Sequence, residues 1–381
     1  MYNPEMKRPK ILFIIGTLGG GGAEKVMMDL LGHTDCSKYD VDLCVLRRKG
    51  VYVDRVPHGI NVNYIYSRYS VLRKIHQWRE RKFGDDGGFH RRITRKIKGE
   101  YDAIVSFLEG TAVKYHSYIF DQARRNVSWV HTDLLNYHHT ASLYKADEER
   151  RLYGRMDGIA FVSDEARINF QKLFGLDPSR LVTIYNPVDR ENIVRRSTEE
   201  SIEKNRFTIV CVGRICEPKR FDRAVRVAAM LKRDGKDVDF WILSGDGNYH
   251  KLQSYAAELG VEDMFRFFGY RSNPYPYIAS ADMFLMTSQT EGFPLVVCEA
   301  LCLHKPIVST AVTGPKEILG DSEYGLLTGQ SDEEIYEGVR RMIDEPELRR
   351  HYSVQAACRS EMFDIRRTVD QIYDFILPKE N

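Results

Sequence analysis

The sequence predicts an α/β protein of two successive doubly wound domains, each built on a parallel sheet, and three observations carry that prediction. Short, continuous apolar runs such as residues 10–18 and 283–286 alternate with segments of helical spacing along the whole chain, the βα alternation of sheets covered on both faces. With 381 residues, 43% of them hydrophobic, the chain exceeds one ordinary core and can fill two. Near its middle the alternation stops at Asn186-Pro-Val-Asp189, gives way to the charged run 190–206, and starts again at Phe207.

The first strand, residues 10–18, ends in glycine, and Gly19 to Gly22 follow. Ala23, Val26, Met27, Leu30 and Leu31 then recur at helical spacing, so the glycines occupy a strand–loop–helix corner, where doubly wound sheets hold ligands. The loop has neither the G-x-G-x-x-G spacing of a dinucleotide fingerprint nor the Lys-Ser/Thr of a P-loop. Further strands are expected at 41–46, 62–66, 103–108, 127–131, 158–163 and 181–186. His131 and Asp133 stand at the carboxyl end of the 127–131 strand, whereas His138 and His139, with no carboxylate or cysteine at ligand spacing, read as structural.

Residues 68–100 form a basic insert with eleven Lys/Arg against four acids, interleaved with Val71, Leu72, Ile75, Trp78 and Phe83. A solvated helix face and an anionic membrane surface both account for it. The expected domains are therefore 1–189 with this insert, a linker at 190–206, a second domain at 207–358, and a terminal helix at 359–381.

In the second half, strands are expected at 208–212, 238–243, 265–268, 283–286 and 306–309, with helices at 221–233 and 249–259 ended by Gly235 and Gly260. The first strand delivers Gly213-Arg-Ile-Cys-Glu-Pro-Lys-Arg220, in which Arg214 as a planar fork and Lys219 as a point charge can converge on one dianion around a turn. The strand at 283–286 leads into Thr287-Ser-Gln-Thr-Glu-Gly-Phe-Pro294, and a helix is expected to begin at Pro294. Its first turn offers the N–H groups of Leu295, Val296 and Val297 with the positive end of the helix dipole, and Gly292 lets an anion approach: a place for phosphate. Glu291 and Glu299 bracket it and can hold only hydroxyls, Glu299 those of a ribose and Glu291 those of a second sugar. A capped helix with solvated acids is the plainer reading of the same residues.

In the context E-G-F-P-L-V-V-C-E-A, Glu291 and Glu299 have an E-x7-E spacing that resembles the donor-sugar motif of family 4 retaining glycosyltransferases of the GT-B fold. Gly213-Arg214 and Lys219 resemble that family's second donor motif, and G-G-A-E-K resembles its N-domain loop, where Gly21 and Gly22 would face the donor's diphosphate and sugar. His131 resembles the strand-end histidine whose ring contacts the donor sugar. Phe268-Gly-Tyr270 resembles the base-binding turn, Gly245-Asp-Gly247 the G-x-G turn, and Thr313-Gly-Pro315 the turn near the phosphates. The resemblance implies two Rossmann-like domains with a donor cleft between them and a nucleotide-sugar substrate, a UDP-sugar by the base turn. Transfer of a hexose or N-acetylhexosamine goes to a lipid-linked or cell-surface glycan in polysaccharide or capsule biosynthesis. His131, Glu291, Arg214 and Lys219 would act at the reacting centre. Gly21, Gly22, Gly213, Gly245, Tyr270, Gly292, Leu295, Val296 and Glu299 would bind the donor. The terminal segment, helical in pattern over 352–377, would cross back to the first domain.

Composition bounds the alternatives. A formal net charge of +2 argues against nucleic-acid binding through overall charge. The seven cysteines include no C-x-x-C pair, so neither a disulfide framework nor a zinc site is indicated and a reducing cytoplasm is expected. No signal peptide or spanning helix is expected, which leaves a peripheral position at the inner face of the plasma membrane as the route to a lipid-linked acceptor. No Asp-x-Asp stands in a strand-end setting, so the donor is expected to be used without metal or other cofactor, Arg214, Lys219 and the helix N-terminus meeting the leaving diphosphate. A non-hydrolysing UDP-sugar epimerase would share the fold but needs acid/base carboxylates that have no candidate here. A nucleotide-sugar-binding or membrane scaffold without turnover needs none of these site residues.

Overall fold

Apolar runs buried on both faces make the centre of each half. In a computed structural model that describes residues 8–245 and 249–378, every residue from Ile11 to Ile15 is fully buried. The chain divides into two compact units, one from the N-terminus to Pro187 plus the segment from Arg366 onward, the other Val188–Ile365.

The first unit runs β1 (Lys10–Ile15), α1 (Gly22–Gly32), β2 (Asp40–Arg47), β3 (Asn61–Tyr66), α2 (Val71–Phe83), α3 (Gly87–Lys96), β4 (Tyr101–Ser106), α4 (Thr111–Ser117), β5 (Ala123–Val130), α5 (Glu148–Gly154), β6 (Gly158–Phe161), α6 (Asp164–Phe174) and β7 (Leu181–Thr183). Its seven strands are ordered β3-β2-β1-β4-β5-β6-β7, all pairs parallel. The order reverses between β1 and β4, and the loops leaving those strands open the crevice in which such sheets hold ligands.

The second unit runs α7 (Arg190–Ser197), β8 (Phe207–Val212), α8 (Phe221–Arg233), β9 (Val238–Leu243), α9 (Tyr249–Glu258), β10 (Phe265–Gly269), α10 (Tyr275–Ser280), β11 (Met283–Met286), α11 (Leu295–Cys302), β12 (Ile307–Thr310), α12 (Thr313–Leu319), β13 (Leu326–Thr328), α13 (Asp332–Asp344) and α14 (Pro346–Ser360). Its six strands are parallel in the order β10-β9-β8-β11-β12-β13, with the reversal between β8 and β11. Two Rossmann-like domains are thus present. Gly235 and Gly260 close α8 and α9 in the left-handed conformation, φ 72° and 66°.

Three expectations differ in detail. The 190–206 run is no free linker: α7 is capped by Asp189 accepting from the Asn192 N–H, buries Ile193, and is tied down by Arg196 Nη2 to the Ser272 carbonyl (3.0 Å) and Asn273 Nδ2 to the Arg196 carbonyl (2.8 Å). One isoleucine and polar bonds to the neighbouring turn suffice where apolar content alone predicts no packing. The continuous helix over 352–377 is broken at 361–364 into α14 and α15 (Ile365–Ile376), and the chain rejoins the first unit at Arg366 rather than 359. There Tyr373 stacks on Tyr39 at 4.2 Å and shares a 2.6 Å hydrogen bond with Thr34, and Phe375 meets Trp129 edge-on. The three-residue strand β13 carries no legible pattern of its own.

The basic insert forms α2 and α3. None of the residues of α2 is buried. Its inward side is polar, with Tyr66 Oη and His76 Nδ1 2.8 Å apart and Glu80 paired to Lys114, while Val71, Ile75, Trp78 and Phe83 are 68%, 47%, 54% and 64% exposed.

His116 on α4 is fully enclosed, its Nε2 bonded to Asn126 Oδ1 at 2.9 Å, and burial pushes its pKa down to about 3. Because this lies below the unfolded value of 6.5, the unfolded chain holds more protons between those limits, and stability falls as pH drops through that window. His116→Gln, which keeps a donor for Asn126, is expected to flatten the loss of melting temperature between pH 6.5 and 4.5, removing up to about 1.4 kcal/mol per pH unit of slope. Melting curves that fall equally steeply in both proteins would contradict it.

Candidate donor site and its partner loops

Two loops meet at the strand-order reversal of the second unit because β8 and β11 are neighbours there. The Gly213–Arg220 loop leaves β8, and the Thr287–Pro294 loop leaves β11. Backbone and side chain stitch them together: the Gln289 N–H donates to the Pro218 carbonyl at 2.7 Å, Thr287 Oγ1 to the Arg220 carbonyl at 2.9 Å, and Arg223 Nη1 to the Thr287 carbonyl at 3.0 Å. At the centre Lys219 Nζ lies 2.5 Å from Glu291 Oε1, which also accepts from Ser288 Oγ at 2.6 Å. Arg220, directly after Lys219, adopts the left-handed conformation (φ 48°, ψ 46°) and pairs with Asp222.

Arg214 is exposed, and among the described residues its guanidinium has no ion-pair partner. Lys219 and Glu291, expected to serve different parts of a ligand, are each other's partners here.

The third side of the β11 loop is the turn into α12. A Cβ on Gly314 would stand 2.5 Å from the Gly292 carbonyl oxygen, so only glycine lets the two turns pack, and the Gly314 N–H reaches the Glu291 carbonyl at 3.3 Å. The helix expected at Pro294 begins one residue later: Pro294, with ψ 104°, is the N-cap of α11. The Val297 N–H turns inward to the Pro294 carbonyl at 3.0 Å. Leu295 and Val296 are left as the outward donors of the first turn. Glu299, 4% exposed, lies on the same helix with the Tyr275 hydroxyl 3.4 Å from its Oε1.

Tyr270 is 44% exposed, and its ring packs on the backbone of Gly245, where a Cβ would stand 3.1 Å from Tyr270 Cδ2. Gly247, the second glycine of that turn, lies outside the described residues.

In the first unit, Gly21 is the N-cap of α1, next to Gly22. Glu24 folds back over this loop: a Cβ on Gly21 would come within 2.5 Å of Glu24 Oε2, and Thr17 Oγ1 donates to Glu24 Oε1 at 3.2 Å. His131 follows β5 directly. Its N–H donates to Glu109 Oε2 at 2.9 Å, and its ring lies 5.0 Å from that of Phe107. Burial pushes its pKa down to about 4, against the opposing pull of Glu109 and a hydrogen bond to the Phe107 carbonyl, so the ring is neutral at pH 7. Its Nε2 is buried without a hydrogen-bond partner.

Glu109 is the residue the sequence reading passed over. It is 7% exposed, accepts from Thr132 Oγ1 at 2.7 Å as well as from His131, and lies 3.7 Å from His139 Nε2. Its position directly after a strand, Phe107-Leu-Glu109, is the same signal that singled out His131.

Two Rossmann-like domains in succession are the architecture of the GT-B class of glycosyltransferases. Residues 194–358 match the family described as Glycosyl transferases group 1, and residues 20–192 match Glycosyltransferase Family 4; the chain belongs to family 4 of the GT-B glycosyltransferases. It is 32% identical over 194 residues to the N-acetylgalactosamine-N,N'-diacetylbacillosaminyl-diphospho-undecaprenol 4-alpha-N-acetylgalactosaminyltransferase of Campylobacter jejuni, covering 50% of this chain and 52% of that protein. It is 23% identical over 251 residues to the lipopolysaccharide glucosyltransferase WaaG of Escherichia coli, covering 63% and 66%. The alignments with these two curated relatives span about half and just under two-thirds of their length. In fold it is similar to Anabaena Alr3699/HepE, solved in complex with UDP-glucose, with a TM-score of 0.73 at 20% identity over 96% of this chain and 98% of that one.

The Lys219–Glu291 pair is little exposed, at 22% and 10% of the side chains. Lys219→Met strands the carboxylate and is expected to cost about 1–3 kcal/mol of stability, part of which Lys219→Met with Glu291→Gln restores. Urea unfolding checks this; a double variant no more stable than Lys219→Met alone would refute the coupling.

Proposed function

We propose that the protein is a retaining glycosyltransferase that moves a hexose or N-acetylhexosamine from a UDP-sugar to a lipid-linked or cell-surface glycan. The observation that carries this reading is the meeting, at the strand-order reversal of the second unit, of the exposed Arg214, which has no ion-pair partner among the described residues, the Lys219–Glu291 pair and the first-turn N–H groups of α11. That arrangement supplies positive potential for a diphosphate and, within the same few residues, carboxylates for hydroxyls.

Glu299 takes the ribose, Gly213 and Gly292 let the phosphates approach the backbone, and Tyr270 with Gly245 borders the base. Breaking the anomeric bond leaves charge on the departing β-phosphate, which Arg214, Lys219 and the Leu295 and Val296 N–H groups stabilise without a metal. The acceptor oxygen bonds the anomeric carbon on the face the phosphate leaves, and its proton passes to the phosphate oxygen. Glu291 orients the sugar while held by Lys219. Neutral His131 offers Nε2 to a sugar hydroxyl. Glu24 over Gly21 and Gly22 suits hydroxyls better than phosphate, so that loop serves the sugar end of the donor.

Incubation with a panel of UDP- and GDP-sugars, following nucleotide release, tests the class of donor. In EDTA-containing buffer, calorimetry is expected to show UDP affinity reduced on the order of 10²-fold in Arg214→Ala and clearly lowered in Glu299→Ala, with Glu291→Ala near wild type. Binding that vanishes in EDTA and returns with Mn²⁺ would defeat the metal-free account.

The lipid-linked acceptor draws support from the Campylobacter relative, whose name places its substrate on diphospho-undecaprenol. No helix among the described residues is long and apolar enough to cross a membrane. Contact with an anionic surface falls to the exposed stripe of α2 and the cations of α2 and α3. Arg92 is not among them, since its Nε bonds the Ile65 carbonyl at 3.0 Å and its guanidinium lies over Tyr66. Reversing Arg91, Arg95 and Lys96 to Glu, or Trp78→Ser, is expected to reduce sedimentation with phosphatidylglycerol vesicles. For wild type that binding weakens as salt shortens the Debye length below about 8 Å. Equal co-sedimentation of the variants would leave the insert a solvated face.

A further inference from the structure

We propose that residues 135–147, in the loop between β5 and α5, are a subsite for a sugar residue of the acceptor, with Tyr137 and His139 as its stacking platform and His138 as its hydroxyl-orienting group. This rests on the glycosyltransferase reading and adds to it the half of the reaction that the donor motifs leave unassigned.

The loop leaves the carboxyl end of β5, the edge at which open α/β sheets collect ligand groups. It displays apolar surface instead of burying it: Leu135, Tyr137 and Leu143 are 43%, 39% and 41% exposed. The rings of Tyr137 and His139 stack at 5.4 Å with 21° between their planes, which holds the partly exposed Tyr137 ring in a fixed orientation. The C–H face of a pyranose suits such a platform, and its hydroxyl rim needs a few fixed polar groups beside it.

Those groups are present and held from behind. Glu149 is 5% exposed and accepts from His138 Nε2 at 2.7 Å and Thr140 Oγ1 at 2.7 Å. With Nε2 committed to a buried carboxylate, the ring is fixed in direction and Nδ1 is the nitrogen left to meet a ligand. The His138 side chain is 30% exposed, and among the described residues no hydrogen bond to its Nδ1 is present. Glu109 lies 3.7 Å from His139 Nε2 on the β4 side, too far for a hydrogen bond, and Tyr144 Oη closes the arrangement on the Gly110 carbonyl at 2.7 Å. Two buried acids behind the surface disfavour a phosphate or carboxylate ligand. A neutral polyol meets no such penalty.

The test is saturation-transfer NMR on the full chain with n-octyl glycosides of glucose, galactose, N-acetylglucosamine and N-acetylgalactosamine. At least one is expected to receive saturation from the wild type. Tyr137→Ala, which removes exposed surface and no hydrogen bond from the loop, is expected to weaken that glycoside's binding roughly threefold to tenfold. His138→Gln should lose saturation at the hydroxyl-bearing ring protons more than at the octyl chain. A Tyr137→Ala protein that melts like wild type and binds the glycoside equally well overturns the proposal, as does a wild type that binds none of the four. The melting shift given by UDP reports on the donor site separately, so a failure there is distinguishable from a failure here.

Discussion

The ion pair between Lys219 and Glu291 depends on a contact 72 residues long in the chain, and the second unit's site depends on it in turn. The two residues meet only because β8 and β11 are adjacent, and they are adjacent only because the strand order reverses there. With Lys219 committed to Glu291, the loop after β8 and the loop after β11 become one surface, further secured by Thr287 and Gln289. The pair also sets the charge of that surface. Lys219 is largely neutralised by its partner, so among the described residues Arg214 is the cation of this surface without an ion-pair partner, and the helix N-terminus at Leu295 becomes correspondingly more important to an anion.

The same edge of the first unit has the opposite character. Glu24 lies across the glycine loop after β1, Glu109 sits beneath the loop after β5, and burial keeps His131 uncharged. Carboxylates and neutral imidazoles bind hydroxyls and repel phosphate, whereas the second unit's edge carries a guanidinium and free N–H groups. By charge alone, each unit's edge taken by itself suits a different ligand chemistry, hydroxyls at the first and an anion at the second.

The fold was legible because parallel strands buried on both faces leave continuous apolar runs, and because glycine and proline punctuate them; α8, with its stop at Gly235, was readable to the residue. Family motifs singled out Arg214, Lys219 and Glu291, which the structure places in loops leaving strand ends, and Glu299, which it places on α11. What escaped was non-local or too short. The three residues of β13 hold no period, the break at 361–364 interrupts no apolar spacing, and α7 is stabilised by bonds to residues 272 and 273 that composition does not reveal. The pairing of Lys219 with Glu291 is a property of the sheet order. Glu109 and the support it gives to His131 required knowing that β4 and β5 are neighbours.

The helix α2 shows how a sequence signal can be correct and still need the structure to be interpreted. An amphipathic helix normally turns its apolar stripe inward. Here the inward contacts are polar, His76 to Tyr66 and Glu80 to Lys114, and the stripe of Val71, Ile75 and Trp78 is the outward one. Burial in the unit therefore does not account for those side chains, and solubility alone disfavours them. Cations line the same outer face, with Lys82 over the rings of Trp78 and Phe83. Arg92, counted with the insert's charge in the sequence, is instead spent holding the end of β3. The charge that remains is attached to an apolar face, and it is this coincidence on one helix, more than the eleven basic residues of the segment, that sets α2 apart from a helix with a purely polar outer face.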